Sequence, residues 1–115
     1  MPDKAKILVV DDTAANQEIL KRAFEKGGFQ VIQAYDGMAA LDMAEKERPA
    51  LMMLDIMMPK MDGIDVLKRV KIMDPNLPVV MMTAHGSEQI AVEAMKLGAD
   101  DYLTNPFHPK DVTAL

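Results

Sequence analysis

The chain has 115 residues, of which 50% are hydrophobic, and it contains 12 methionines and no cysteine. This length predicts one domain over residues 1–115 with a core of aliphatic and thioether side chains. The lack of cysteine excludes disulfides and thiol chemistry and suits the cytoplasm. The 13 basic and 18 acidic residues give a net charge of -5, which argues against direct nucleic-acid binding. No apolar run is long enough to cross a membrane.

Strand-like and helix-like segments alternate along the chain. The strand-like segments are short apolar runs, whereas the helix-like segments carry apolar residues at helical spacing. In chain order the predicted elements are a strand at Lys6–Val10, a helix at 13–26, a strand at Phe29–Ala34, a helix at 37–49, a strand at Leu51–Leu54, a helix at 64–74, a strand at Pro78–Met82, a helix at 87–97, a strand at Asp100–Leu103 and a fifth helix from Pro109. The helical spacing further predicts that Ile19, Leu20 and Met38 face the core.

Five strands that alternate with helices indicate an α/β fold, in which helices cover both faces of a parallel sheet. The usual order for a doubly wound, flavodoxin-like sheet is 2-1-3-4-5, and ligands then bind beyond the carboxyl ends of strands 1 and 3. The sequence stops at Leu115, about two turns into the fifth helix, so that helix is expected to be truncated.

Aspartates directly follow two of the predicted strands. Asp11 and Asp12 come after the first strand, and Asp55 comes after the third. In the 2-1-3-4-5 order these three carboxylates meet in one pocket, where their repulsion is costly unless a positive group binds. Taken alone, Asp11 and Asp12 could equally cap the first helix, because aspartate is a favoured N-cap residue.

Further residues, together with these aspartates, resemble the receiver domain of bacterial two-component response regulators. The matching residues are Asp11-Asp12 after strand 1, Asp55 after strand 3, the loop Pro59–Gly63, Thr83-Ala84 after strand 4, the late aromatic Tyr102 and the pair Pro106-Phe107. Each of these is weak alone, but their order and spacing across nearly the whole chain are specific. Within that family, the chain resembles the receivers of chemotaxis systems.

The resemblance implies a phosphorylated signalling domain rather than a conventional enzyme, with phosphorylation and dephosphorylation of itself as its only reactions. Asp55 would accept a phosphoryl group from a phosphohistidine on a sensor histidine kinase or a phosphotransfer protein. Mg²⁺ would be held by Asp12, Asp55 and the backbone carbonyl of Met57, with Asp11 acting through water. A downstream output domain or protein and a homodimer are partners that the resemblance leaves open.

The resemblance also implies a switch at the ends of the fourth and fifth strands. The Thr83 hydroxyl would donate to a phosphoryl oxygen, and the small Ala84 would leave room for that group. Inward movement of Thr83 would vacate space for Tyr102 and change the face made by helix 4, strand 5 and helix 5.

The sequence departs from the family at one position of the expected site. The family has a lysine immediately before the Pro-Phe pair, and Asn105 stands there in this chain. A neutral amide on a short stem cannot neutralise a phosphoryl group as a lysine ammonium does. Asn105 therefore predicts weaker coupling between phosphorylation of Asp55 and the output face.

Other functions stay open from the residues alone. A pseudo-receiver that binds partners without phosphorylation is favoured by Asn105 and opposed by the intact aspartates and Thr83. A haloacid-dehalogenase-type phosphatase also uses Mg²⁺ and an aspartyl nucleophile, but its aspartates are spaced by one residue, whereas Asp11 and Asp12 are adjacent. Flavin binding is disfavoured because the loop after the first strand lacks a run of Ser and Thr to hold phosphate.

Overall fold

The computed structural model of the chain describes residues 5–56, 63–84 and 88–105. At positions 83, 84, 88, 104 and 105 it describes the backbone alone. Within these ranges strands and helices alternate: β1 (Lys6–Val10), α1 (Ala14–Lys26), β2 (Gln30–Ala34), α2 (Gly37–Glu47), β3 (Leu51–Asp55), α3 (Gly63–Met73), β4 (Val79–Ala84), α4 (Glu88–Lys96) and β5 (Asp101–Asn105). None of the helices described here is long and apolar enough to cross a membrane. The predicted fifth helix from Pro109 lies outside the described residues.

The described strands form one parallel sheet in the order β2-β1-β3-β4-β5, which confirms the predicted doubly wound, flavodoxin-like fold. β1 lies between β2 and β3, with Val10 beside Ala34 on one side and Leu54 on the other. Asp55, the last residue of β3, pairs with Met82 of β4. This register brings the residues that follow β1 and those that end β3 to the same edge of the sheet.

Alternate residues of the central strands fill a core on each face of the sheet. The two sets on β1 and β3 are Leu8, Val10, Met52 and Leu54 towards α2 and α3, and Ile7, Val9 and Met53 towards α1. Methionine fills much of this core as predicted, since Met52, Met53, Met81 and Met82 are all fully buried. Because both faces of the central strands are covered, their ends are the places where polar side chains can carry chemistry.

Two side chains that were predicted to face the core are exposed instead. Ile19 of α1 is 43% exposed, and Met38 of α2 is 63% exposed. The buried positions of α1 are Gln17, Leu20 and Phe24, which share a helix face turned away from Ile19. A polar residue, Gln17, therefore takes a place in the buried stripe of α1.

The last two strands reach further than their apolar patterns predict. β4 extends through Thr83 and Ala84, and β5 extends through Thr104 and Asn105. The ladder pairs Thr83 with Thr104 and Ala84 with Asn105, because backbone hydrogen bonds continue past the apolar side chains. The site positions predicted at 83, 84 and 105 thus lie within strands rather than in the loops after them.

Candidate metal centre

Asp11, Asp12 and Asp55 lie together at the carboxyl edge of the sheet, as the strand order predicts. One carboxylate oxygen of each residue is within 4.8 Å of the other two. Asp11 is fully buried, Asp55 is half-buried and Asp12 is exposed. The cluster is therefore closed around Asp11 and open to solvent on the side of Asp12 and Asp55.

The buried Asp11 carboxylate is held by two uncharged donors. The backbone N–H of Thr13 donates to its Oδ1 at 2.8 Å, and the side-chain amide of Asn16 donates to its Oδ2 at 3.1 Å. Burial raises the pKa of Asp11 above its ordinary value, the hydrogen bonds from Thr13 and Asn16 oppose that rise, and the charge of Asp12 adds to it. A cation beside the cluster would lower the remaining cost of keeping Asp11 ionised.

Neither aspartate of the adjacent pair is the N-cap residue of α1. Thr13 has extended backbone angles, occupies the N-cap position and makes no capping bond with its own side chain. Asp11 accepts the N–H of Thr13 from outside the helix. The helix-capping alternative for Asp11 and Asp12 is therefore wrong.

Gln17 holds the backbone from which Asp11 projects. Its side chain is 1% exposed, and its Nε2 lies 3.2 Å from the carbonyl oxygen of Val9, 3.0 Å from that of Asp11 and 2.8 Å from that of Ala34. The N–H of Asp11 also donates to the Ala34 oxygen at 3.1 Å. These bonds tie the ends of β1 and β2 to α1, so Asp11 leaves the sheet from a fixed point. The Gln17 Oε1 is buried and has no hydrogen-bond partner among the described residues.

Sequence reasoning identified neither Asn16 nor Gln17 as part of the site. For Gln17 a signal was present, because helical spacing from Leu20 and Phe24 places it on the buried stripe of α1. A glutamine in such a stripe needs internal hydrogen-bond partners, and the strand ends offer carbonyl oxygens that can accept from it. The sequence gives no comparable indication for Asn16. Its contact with Asp11 depends on how α1 is rotated about its axis, which the sequence pattern does not fix.

Gly63, where α3 begins, lies against the backbone at the end of β3. Its N–H donates to the carbonyl oxygen of Ile56 at 2.8 Å. A Cβ atom on Gly63 would lie 2.2 Å from the carbonyl oxygen of Asp55 and 2.7 Å from the Cα of Ile56. Only glycine allows this approach, so the start of α3 fixes the main chain of Asp55 and Ile56. The sequence indicated Gly63 only as a loop glycine, because a close approach depends on the path of the chain.

The structure describes some of the other residues predicted for the site, several of them by their backbone alone. Thr83 and Ala84 end β4, and Asn105 ends β5 beside Ala84, so these three backbone positions reach the edge that holds the aspartates. Tyr102 is half-buried in β5 and packs against the core on the face covered by α2 and α3. Met57 lies outside the described residues.

The aspartate cluster offers the ligands that Mg²⁺ prefers. All three donors are carboxylate oxygens, and hard divalent cations select oxygen ligands. The exposure of Asp12 and the partial exposure of Asp55 leave room for water or phosphoryl oxygens, which Mg²⁺ usually keeps among its ligands. The residues present therefore fit a Mg²⁺ ion.

Comparison with known proteins assigns a family to this fold and cluster. Residues 7–115 match the family model described as the response regulator receiver domain, so the chain belongs to that family. Receiver domains are phosphorylated on aspartate in phosphorelays, and they bind Mg²⁺ at an acidic aspartate cluster. They act as phosphorylated signalling modules rather than as conventional enzymes, and they interact with histidine kinases or phosphotransfer proteins.

Relatives of known sequence and structure agree with the family. The chain is 46% identical over 109 residues to the alkaline phosphatase synthesis transcriptional regulatory protein PhoP of Bacillus subtilis. The matched region covers 95% of this chain but only 45% of that protein. It is 45% identical over 102 residues to sporulation initiation phosphotransferase F of the same organism, and this match covers 89% of this chain and 82% of that protein. The receiver domain of NtrX from Brucella abortus superposes with a TM-score of 0.91 at 33% identity, covering 94% of this chain and 92% of that one. The chain thus spans about half the length of PhoP and most of the length of the phosphotransferase.

Proposed function

We propose that this chain takes a phosphoryl group onto Asp55 from the phosphohistidine of a sensor histidine kinase or of a phosphotransfer protein. The reaction requires Mg²⁺ and switches the face formed by helix 4, strand 5 and helix 5. The observation that carries the proposal is the cluster of Asp11, Asp12 and Asp55 at the carboxyl edge of a receiver-type sheet.

Asp12, Asp55 and the backbone carbonyl of Met57 are the proposed metal ligands, and Asp11 acts through water. Mg²⁺ bound there supplies positive charge that offsets the repulsion between the Asp55 carboxylate and an anionic phosphoryl group. The hydrogen bond on each oxygen of Asp11 supports its water-mediated role, because each bond occupies part of the capacity of that oxygen to bind a metal directly.

In the transfer step, a carboxylate oxygen of Asp55 forms a bond to phosphorus while the bond from phosphorus to the donor imidazole nitrogen breaks. The electron pair of the broken bond leaves with the imidazole. The main chain beside Asp55 is held on β4 and by the start of α3, which supports this role. The N–H of Ile56 donates to the Met82 oxygen at 3.1 Å, and Gly63 approaches the Asp55 carbonyl so closely that an added Cβ would clash with it. Hydrolysis of the aspartyl phosphate returns the chain to its starting state.

Thr83, Ala84 and Tyr102 form the proposed switch. The Thr83 hydroxyl donates to a phosphoryl oxygen of phosphorylated Asp55, and Ala84 leaves space for that group. The half-buried position of Tyr102 supports this role, because its apolar ring packs against the core while its polar hydroxyl favours contact with water. Asn105 replaces the lysine of the family, and we therefore propose that phosphorylation is coupled only weakly to the output face.

Phosphorylation is tested by incubating the protein with a small phosphodonor and Mg²⁺ and measuring its intact mass. The expected result is the gain of one phosphoryl group, and its loss in Asp55→Asn. Asp42→Asn is the matched control, since Asp42 is an exposed aspartate of α2 that pairs with Lys46 at 3.2 Å. An unchanged mass for the parent protein, or equal phosphorylation of Asp55→Asn, would contradict the proposal.

The role of Asn105 is tested by comparing the parent protein with Asn105→Lys. We expect the lysine variant to bind a phosphorylation-dependent partner more tightly after phosphorylation, because the ammonium restores a charge contact with the phosphoryl group. Equal phosphorylation rates and equal partner binding in the two proteins would show that Asn105 does not weaken the coupling.

The pseudo-receiver alternative is not favoured. The chain belongs to the receiver family, and its three aspartates lie together as phosphorylation requires.

We propose that residues 1–115 form a single receiver domain that acts in the cytoplasm, without membrane or nucleic-acid contacts of its own. A downstream output domain or protein and a homodimer are the partners through which the switch would act. The chemotaxis-like subtype stays a prediction.

A further inference from the structure

We propose that Asn16 is a positioning residue for the divalent-cation site, whose side-chain amide holds the Asp11 carboxylate in the orientation that a small octahedral ion requires. This inference rests on the proposed function, because it assumes a cation at the aspartate cluster. Asn16 lies in the first turn of α1, is half-buried and donates from Nδ2 to the Asp11 Oδ2 at 3.1 Å.

The two hydrogen bonds on Asp11 together fix the plane of its carboxylate. With the Thr13 N–H alone, at 2.8 Å from Oδ1, the carboxylate could still turn about the bond that joins it to Cβ. The Asn16 amide on Oδ2 removes that freedom, since both oxygens are then anchored. Each oxygen keeps further lone pairs, so a carboxylate held in this way can still accept from water bound to a cation.

The neutrality of Asn16 matters as much as its hydrogen bond. An ionised carboxylate only accepts hydrogen bonds, so the nitrogen of the Asn16 amide must face Asp11. A lysine or arginine at this position would also donate, but its charge would neutralise Asp11 and compete with the cation. The amide orients Asp11 and leaves the negative charge of the cluster in place.

The backbone of Asp11 is held independently of Asn16. Gln17 Nε2 contacts the carbonyl oxygen of Asp11 at 3.0 Å, and the Asp11 N–H donates to Ala34 at 3.1 Å. Loss of the Asn16 amide therefore releases the side chain of Asp11 without releasing its main chain. This separation makes Asn16 a position where the orientation of one carboxylate can be changed alone.

Mg²⁺ and Ca²⁺ should respond differently to that change. Mg²⁺ demands near-ideal octahedral geometry, whereas Ca²⁺ accepts flexible arrangements with more ligands. A residue that acts by orientation should therefore affect Mg²⁺ binding more than Ca²⁺ binding. A residue that only stabilises the fold, or only alters the charge, should change the affinity for both ions by a similar factor.

The test is calorimetric titration of the metal-free protein with Mg²⁺ and, separately, with Ca²⁺. Asn16→Leu removes the amide at similar volume, and Asn16→Ala is a second variant with higher helix propensity, so that at least one is expected to fold. We expect the Mg²⁺ affinity to fall roughly tenfold, as is typical when an outer-shell partner is removed, and the Ca²⁺ affinity to fall less. Asn76→Ala, at an exposed position in the turn before β4, should leave both affinities unchanged.

The outcomes separate this inference from the proposed function. Unchanged Mg²⁺ affinity in the Asn16 variants, or equal loss for both ions, would overturn the positioning role while leaving phosphorylation of Asp55 untouched. A parent protein that binds no Mg²⁺ would overturn both this inference and the Mg²⁺ requirement of the proposed function.

Discussion

At the edge of the sheet where the strands begin, acidic side chains are paired with lysines, whereas at the edge where the strands end three aspartates lie together. Lys6 pairs with Glu47 at 3.3 Å, and Lys71 pairs with Asp100 at 3.3 Å. At the opposite edge the buried Asp11 is held by uncharged donors and lies beside two further carboxylates. The first edge uses opposite charges to join elements, and the second brings three carboxylates together where a cation can bind.

The largest effect is expected from Gly63→Ala, at the edge that holds the aspartates. The added Cβ would meet the Asp55 carbonyl oxygen at 2.2 Å, so either α3 or the end of β3 must move. We expect the free energy of unfolding to fall by about 3 kcal/mol or more, and Mg²⁺ binding to weaken in the molecules that remain folded. Urea unfolding and calorimetric titration measure the two effects.

Gly27→Ala is the matched control for that variant. Gly27 ends α1 with a φ of -81°, and its added Cβ would meet no atom closer than 3.4 Å. Its effect on the free energy of unfolding should stay within about 0.5 kcal/mol. Equal losses in the two alanine variants would show that the contact between Gly63 and Asp55 is not what makes Gly63→Ala costly.

A smaller effect, of a different kind, is expected from Lys71→Met at the edge where the strands begin. The Lys71 ammonium donates to the Leu77 carbonyl at 2.7 Å and to Asp100 at 3.3 Å, and its side chain is 16% exposed. Its loss should lower the free energy of unfolding by about 1.5–3 kcal/mol, the range for hydrogen bonds to charged groups. Mg²⁺ affinity should not change, because Lys71 lies at the far edge of the sheet. A weakened Mg²⁺ affinity would mean that the two edges are coupled.

The smallest effect is expected from Asp11→Asn, and it depends on pH. Burial raises the pKa of Asp11 above its ordinary value, so between that value and the raised one the folded chain binds more protons than the unfolded chain. The stability that Asp11 contributes is present at acid pH and is lost as the pH rises through its folded pKa. In metal-free buffer the asparagine variant should therefore gain stability relative to the parent as the pH rises.

Urea midpoints of the parent and the Asp11→Asn variant, compared from acid to neutral pH without metal, measure this difference. A difference that stays constant with pH, or that changes in the opposite direction, would refute the prediction. Added Mg²⁺ should raise the stability of the parent more than that of the Asp11→Asn variant, since a cation stabilises the parent through a charge that the variant lacks.

Much of the fold and the position of the aspartates could be predicted from the sequence, because they follow from simple patterns. β1 and β3 are buried on both faces and read as unbroken apolar runs, and each run stops at an aspartate. In a parallel sheet these strand ends must share an edge. Asp11 and Asp55 could therefore be placed together before any contact was known.

The parts that could not be predicted depend on how helices sit against the sheet. The apolar residue Ile19 is exposed and the polar residue Gln17 is buried, since carbonyl oxygens at the strand ends favour an amide at that place over an aliphatic side chain. The need for glycine at position 63 follows from the approach of α3 to the end of β3, which no local pattern encodes. The ends of β4 and β5 were predicted short because the ladder continues through Thr83 and Asn105 after the apolar residues stop.

The central place of β1 has a consequence for the rate at which the chain folds. Val10 pairs with Leu54, so Asp11 and Asp55 meet only when β1 joins β3 across the intervening β2 and α2. That step closes a long loop and also brings like charges together, so both loop-closure entropy and repulsion slow it. Dissolved salt screens the repulsion but does not change the loop. We therefore predict that the refolding rate of this chain, measured by stopped-flow mixing, rises with ionic strength, because repulsion between the aspartates of the pocket would add to the folding barrier.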